Sequence, residues 1–222
     1  MFTLSWARGI AAASLLATAA LPTFATPVMV DFEPGFVLLA NGESYTEDGF
    51  SFTAAGAGAV IDPIFCDPLT EFCAVGNSTS VLSALNDTEI DLTHASDMFG
   101  LGGFSAAFMP SPLIDFSGSQ ITLKLDGISA GGAAVSTSFA LLEDGSTGNF
   151  LFGLYDASAL GLLRSLHFSV CFDDGISCGP SAFLNDAQFS LDDLNLTVPE
   201  PGAAWLVALS LAGLALSRRR AR

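Results

Sequence analysis

Basic residues are almost absent from the body of this 222-residue chain. Between residues 26 and 197 there are two, Lys124 and Arg164, against 22 acidic residues, a net charge of −20. A surface of that sign repels phosphate backbones and anionic head groups, which excludes nucleic acid as a partner. Solubility and cation binding are favoured instead. Tryptophan is missing from the same stretch, since Trp6 and Trp205 lie outside it, and tyrosine is limited to Tyr45 and Tyr155. That weakens any stacking platform for sugar rings, although a polar groove can bind glycans through Asp, Asn and Gln. Seventeen phenylalanines do lie within it, and places on apolar strand faces mark most of them as core. No long window between the ends has a helical period with caps, so neither a helical bundle nor an α/β fold is expected.

The hydrophobic runs are confined to the two ends. Arg8 precedes the apolar run Gly9 to Ala20, Leu21-Pro22 and the small-residue site Thr23-Phe24-Ala25. This reads as a secretory signal peptide over residues 1–25, cut after Ala25 and too short for a stable anchor. Export machinery and a signal peptidase are its implied partners. At the other end Val198-Pro199-Glu200-Pro201 leads through Gly202 into the apolar stretch Ala203 to Leu216 and then Arg218, Arg219, Arg220 and Arg222. The proline pair breaks structure, the apolar run enters a bilayer, and the arginines hold the tail on the cytoplasmic side. The run is shorter than the roughly 17 residues at the lower limit of a spanning helix, which suits a transient hydrophobic anchor.

In order and composition, the three parts of residues 198–222 resemble the PEP-CTERM sorting signal. The resemblance implies a Gram-negative host that makes exopolysaccharide and an exosortase that recognises the tail and cuts near the motif. The protein would then be anchored transiently in the inner membrane before reaching the cell surface or the extracellular biofilm matrix.

Four cysteines form two local pairs, Cys66 with Cys73 and Cys171 with Cys178. In an exported chain such pairs read as disulfides, and each closes a loop of eight residues, worth roughly 2.5 kcal/mol by chain entropy. A four-cysteine zinc site is the competing reading, but its ligand pairs are separated by about two to four residues rather than six.

Residues 26–197 are punctuated by Gly, Asp, Asn, Ser and Pro at short intervals, with segments rich in Phe, Val, Leu, Thr and Ser between them. That spacing predicts many short strands. Ser119 to Asp126 alternates, with Ile121, Leu123 and Leu125 on one face. Leu166 to Phe172 does the same, placing Leu166, Phe168, Val170 and Phe172 opposite His167, Ser169 and Cys171. Further strands are expected at Val28 to Glu33, Gly49 to Ala54, Ala57 to Phe65, Phe104 to Met109, Ala133 to Leu142, Asn149 to Tyr155 and Ala187 to Thr197. A short helix is expected at Ser78 to Asn86. The fold class is all-β, a β-sandwich of the jelly-roll kind.

The opening Val30-Asp31-Phe32-Glu33, the segment Tyr45 to Phe52 and the closing Ala187 to Leu194 look like the start and finish of PEP-CTERM passenger domains. They are also similar to jelly-roll carbohydrate-binding modules. In those modules the first and last strands bring acids to a structural calcium, which implies Glu33, Asp192 and Asp193 as its ligands here. Independently, Phe189 and Leu191 share one phase while Leu194 and Leu196 occupy the other, so the alternation slips at Asp192-Asp193 as it does at a β-bulge. Solvated acids on an edge strand remain the alternative reading.

Catalytic patterns are few. Gly127-Ile128-Ser129-Ala130-Gly131 matches Gly-x-Ser-x-Gly, but Gly132 to Phe139 reads as a loop entering a strand, not the helix a nucleophile elbow needs. His94, within the polar segment Asp91 to Asp97, reads as a surface-loop residue, and His167 as a surface residue of its strand. Glu143-Asp144 and Asp173-Asp174 adjoin glycines and read as turns. The expected function is that of an exported, non-enzymatic surface or matrix protein associated with exopolysaccharide. A glycan-binding module is the alternative, and a secreted hydrolase the third.

Overall fold

The computed structural model describes residues 25–33, 35–62, 77, 79–96, 98–109, 120–142, 150–172 and 188–199. The signal-peptide residues before Ala25, the motif residues Glu200 and Pro201, the arginines Arg218, Arg219 and Arg220, and Cys66, Cys73 and Cys178 lie outside these, as do Glu143-Asp144 and Asp173-Asp174. Pro27–Val198 forms one compact unit. Of the other, Met1–Thr26 with Pro199–Arg222, only Ala25, Thr26 and Pro199 are described. Among the described residues no helix is long and apolar enough to cross a membrane.

Alternation makes these segments strands, and burial of one phase holds them in register. They are β1 (Ala25–Val30), β2 (Val37–Leu39), β3 (Ser44–Glu47), β4 (Phe50–Ala55), β5 (Gly58–Asp62), β6 (Val81–Leu85), β7 (Glu89–His94), β8 (Phe99–Phe108), β9 (Ile121–Ser129), β10 (Ala134–Ala140), β11 (Gly153–Asp156), β12 (Leu162–Phe172) and β13 (Phe189–Pro199). A 3-10 turn, Ser158–Leu160, precedes β12. Antiparallel pairing builds one layer in the order β3-β4-β7-β12-β9-β10. It builds a second in the order β2-β5-β6-β13-β8-β11, with β1 also on β13. A short bridge, Leu162 opposite Gly100 and Leu163 opposite Phe99, joins the layers. Successive strands pass repeatedly from one layer to the other, as in a jelly roll, so the expected sandwich is the fold.

Phenylalanines close the layers over each other. Phe104 of β8 meets Phe168 of β12 edge to face, Phe99 meets Phe50 of β4, and Phe108 meets Phe172, with ring centroids 5.7–6.0 Å apart. The Asp48-Gly49 turn has positive φ at both residues, 49° and 84°. This is the mirror-image turn that a two-residue hairpin needs, and it sets Glu47 opposite Phe50.

Two expectations are corrected. Residues 81–85 form β6, not part of a helix, because the segment is buried on both sides of a sheet: Leu82 and Ala84 enter the core while the Ser83 hydroxyl pairs with Ser190 at 2.9 Å on the other face. A short apolar run buried on both faces has no period to declare it. Nor is His94 a loop residue. It ends β7, its ring 4.4 Å from that of Phe50, and only after it does the chain turn.

Candidate functional site

The registers of the first layer align its outward side chains in rows. One row runs Ser44, Thr53, Asp91, His167, Asp126 and Ser136. The next, two residues along each strand, runs Thr46, Ser51, Thr93, Ser165, Ile128 and Ala134. Six strands from four separate stretches of the sequence thereby supply one largely polar surface around His167. Towards Cys171 the same face is closed, with Ser169, Cys171 and Thr122 all buried. Towards Ser129 it is open.

His167 is held from both sides. Its Nδ1 lies 2.8 Å from Asp91 Oδ1 and its Nε2 3.2 Å from Glu89 Oε2. Neither ring nitrogen is left free to take a proton from a hydroxyl, so the residue is built as a fixed polar group and not as a general base. Across β9, Lys124 Nζ lies 2.8 Å from Asp126 Oδ2. Burial pushes the Asp126 carboxyl up, but hydrogen bonds from Lys124 and Ser136, with the Lys124 and His167 charges, hold it below the usual aspartate range.

Beside these groups an open groove of about 370 Å³ is lined by Asp126, Gly127, Ile128, Ala134, Val135, Ser136, Ser165 and His167. That volume falls within the range of small-molecule sites. Two local features shape it. Arg164 is an extra residue in β12, since Leu163 faces Ser129 and Ser165 faces the adjacent Ile128. Such a bulge bends the strand and increases its twist. At Gly127 a Cβ would stand 2.9 Å from the Ser165 carbonyl oxygen, so only glycine lets β9 and β12 approach this closely. Arg164 Nε then donates to Ala130 O at 3.1 Å and pins the β9–β10 turn.

A second polar cluster lies on β13. The pairing of β13 with β8 shifts between Asp192 and Asn195, and Asp193 has φ of 50°, so the slip read in the alternation is a bulge. Asp192 is fully buried. Asn77 Nδ2 and Thr79 Oγ1 donate to its Oδ2, the latter at 2.8 Å, and the Asp193 N–H donates to Oδ1 at 2.8 Å. Asp193 is exposed and accepts from Ser105 Oγ at 3.3 Å. Glu33 is exposed in the turn after β1. Among the described residues no group of three or more His, Cys, Asp or Glu side chains is placed to hold a metal, so Glu33, Asp192 and Asp193 do not form a cage there.

Other residues singled out in the sequence have plainer places. Cys171 is disulfide-bonded. Val198 and Pro199 end β13. Ser129 ends β9, where its hydroxyl accepts from Ala133 N–H at 3.1 Å within a tight turn, as expected of a hairpin and not of a nucleophile elbow. His94 Nδ1 lies 2.7 Å from Ser96 Oγ, yet the same nitrogen accepts the Ser96 N–H at 3.0 Å, a contact that closes a local turn. Glu89, Asp91 and Ser136 are site residues that sequence reasoning misses. The alternation Glu89-Ile90-Asp91-Leu92-Thr93 is the signal that could have found the first two, but its polar residues give the segment the look of a loop.

No family model and no curated sequence matches this chain. Among solved structures it is similar to a DUF4465 family protein from Bacteroides ovatus, at 10% identity and a TM-score of 0.49, over 78% of this chain and 99% of that one. It is also similar to the CBM22-1 xylan-binding domain of Xyn10C from Paenibacillus barcinonensis, at 13% identity and a TM-score of 0.33, over 79% and 95% of the two chains. The module TmCBM61, solved in complex with β-1,4-galactotriose, has 10% identity and a TM-score of 0.31, over 75% and 89%.

Proposed function

We propose that this is an exported, non-enzymatic protein whose sandwich binds glycan through the groove beside His167. The observation that carries the reading is the groove itself: a mixed surface in which a fixed carboxylate, hydroxyls and an imidazole stand beside aliphatic side chains. A sugar has the complementary faces, hydroxyls at its edge and C–H groups on its flat sides. Carboxylate and hydroxyl groups held in place before binding cost little entropy to engage. Affinity for neutral polysaccharide, including the host's own exopolysaccharide, is expected in electrophoresis through gels containing it. Asp126→Ala and His167→Ala should each weaken retention at least about tenfold, as removal of a charged hydrogen-bonding partner does. Retention of wild type and variants alike at the mobility seen without glycan would overturn the reading.

The sorting account belongs to the same proposal. Export is supported by the Cys171 disulfide, which belongs to an oxidising compartment. Exosortase would act at Val198-Pro199-Glu200-Pro201, and the released protein would meet exopolysaccharide at the cell surface. Intact mass of protein from the host's envelope and medium is expected to show loss of both ends, with a gain of about four mass units on reduction of two disulfides. A full-length chain retained in the inner membrane would oppose it. Structural calcium at Glu33, Asp192 and Asp193 is not needed for this function.

A further inference from the structure

Resting on the glycan reading, we infer that the groove takes a neutral glycan carrying N-acetylated amino sugars. The groove is polar at one end and aliphatic at the other. Asp126, Ser136 and His167 form the polar row, and one row along, Ile128 and Ala134 take the outward positions beside Ser165. Ile128 is 39% exposed there, while Val135 between Ala134 and Ser136 packs against the core. The two rows are two residues apart along their strands, about 7 Å, close to the span from a ring hydroxyl to a substituent across the same pyranose. A ligand that fills both ends needs hydrogen-bond donors and a small apolar group on one ring, and an acetamide brings an N–H and a methyl together.

Charge separates the nearest alternatives: the field of the domain favours a cation, so an ammonium sugar is set aside only by the lack of an unpaired carboxylate in the groove. Asp126, the carboxylate that lines the groove, already faces Lys124, and Glu89 and Asp91 behind it face His167. None is left unpaired for a free ammonium group. Uronic acids and sulfated sugars would enter the field of a domain with a net charge of −20.

Three hexamers with one β-1,4-linked backbone test this, differing only at carbon 2: cellohexaose with a hydroxyl, the deacetylated chitosan hexamer with an ammonium, and chitohexaose with an acetamide. Calorimetric titration of the full-length chain in mild detergent is expected to show chitohexaose binding about tenfold more tightly than cellohexaose, the discrimination a methyl-sized pocket provides. Ile128→Asn should erase that difference by lowering chitohexaose affinity about tenfold, and Ala134→Asp should do the same from the neighbouring strand. Both positions are surface-exposed, and circular dichroism checks the fold of each variant. Equal affinity for cellohexaose and chitohexaose, or preference for the ammonium hexamer, overturns the inference and leaves the glycan reading in place. So does binding of some other neutral glycan lacking acetamide when all three hexamers fail. Failure of every glycan overturns the reading beneath it.

Discussion

Phe104→Ala is expected to cost about 3–5 kcal/mol, the usual loss for emptying a phenylalanine site in a packed core. Phe104 is 2% exposed and sits where four strands meet. Its ring lies 5.5 Å from Phe139 of β10, 5.5 Å from Tyr155 of β11 and 6.0 Å from Phe168 of β12. Two of these contacts are edge to face, at 80° and 83°, an arrangement worth about 0.5–1.5 kcal/mol per pair beyond area burial. Because the partners belong to both layers, the vacated space cannot close without moving one layer against the other. For a domain of this size the melting temperature should fall by roughly 10 °C. Leu154→Ala is the matched control: Leu154 lies on β11 beside Tyr155 but is 86% exposed, and its truncation should change stability by less than about 0.5 kcal/mol. Equal losses from the two variants would mean that the aromatic cluster does not join the layers.

Asp192→Ala should be the second most damaging change, at about 2–3 kcal/mol, because it removes the common acceptor of three donors and leaves them to find new partners. The effect should depend on pH, and its sign comes from the carboxyl's surroundings. Burial pushes the Asp192 carboxyl above the usual aspartate range, and the repulsion of Asp193 adds to that, while Asn77, Thr79 and the Asp193 N–H only partly oppose it. The folded state therefore holds its proton at pH values where the unfolded chain has lost it. The stability so gained is complete below the unfolded value of about 3.9 and disappears as pH rises through the higher folded value. The loss caused by Asp192→Ala should thus be greatest in acid and shrink towards neutrality. Denaturant unfolding of both proteins from about pH 3.5 to 7 measures this, and a loss that grows with pH would contradict the assignment.

Legibility varied with how local the signal was. The faces of β9 and β12 could be read because one phase is apolar and the other polar over six or more residues. The bulge at Asp192-Asp193 was legible for the same reason, since a change of phase within one strand is a local event. β8 is legible only from Phe104 onward although it begins at Phe99, because Gly100, Gly102 and Gly103 interrupt its pattern. Those glycines serve their neighbours: at Gly103 a Cβ would stand 3.0 Å from the Tyr155 carbonyl, a contact with a strand fifty residues away that no local pattern announces. The groove was the least legible feature. Its polar row is drawn from residues 126, 136 and 167, each an ordinary surface residue within its own strand.

By itself the sequence determined the sign of the surface charge, the two-residue periodicity that makes the domain a sandwich, the burial of most of its described phenylalanines, the 60% exposed Phe36 apart, and the bulge in its last strand. Each of these comes from composition or from the order of neighbours along one strand. The tertiary structure alone decided which strands lie side by side, and with them the pairing of His167 with Glu89 and Asp91, the approach of β9 to β12 at Gly127 and the closure of the β13 bulge by Asn77 and Thr79. Strand pairing sums weak backbone and side-chain terms over the whole core, and a shift of one residue would have turned the polar row to the inside.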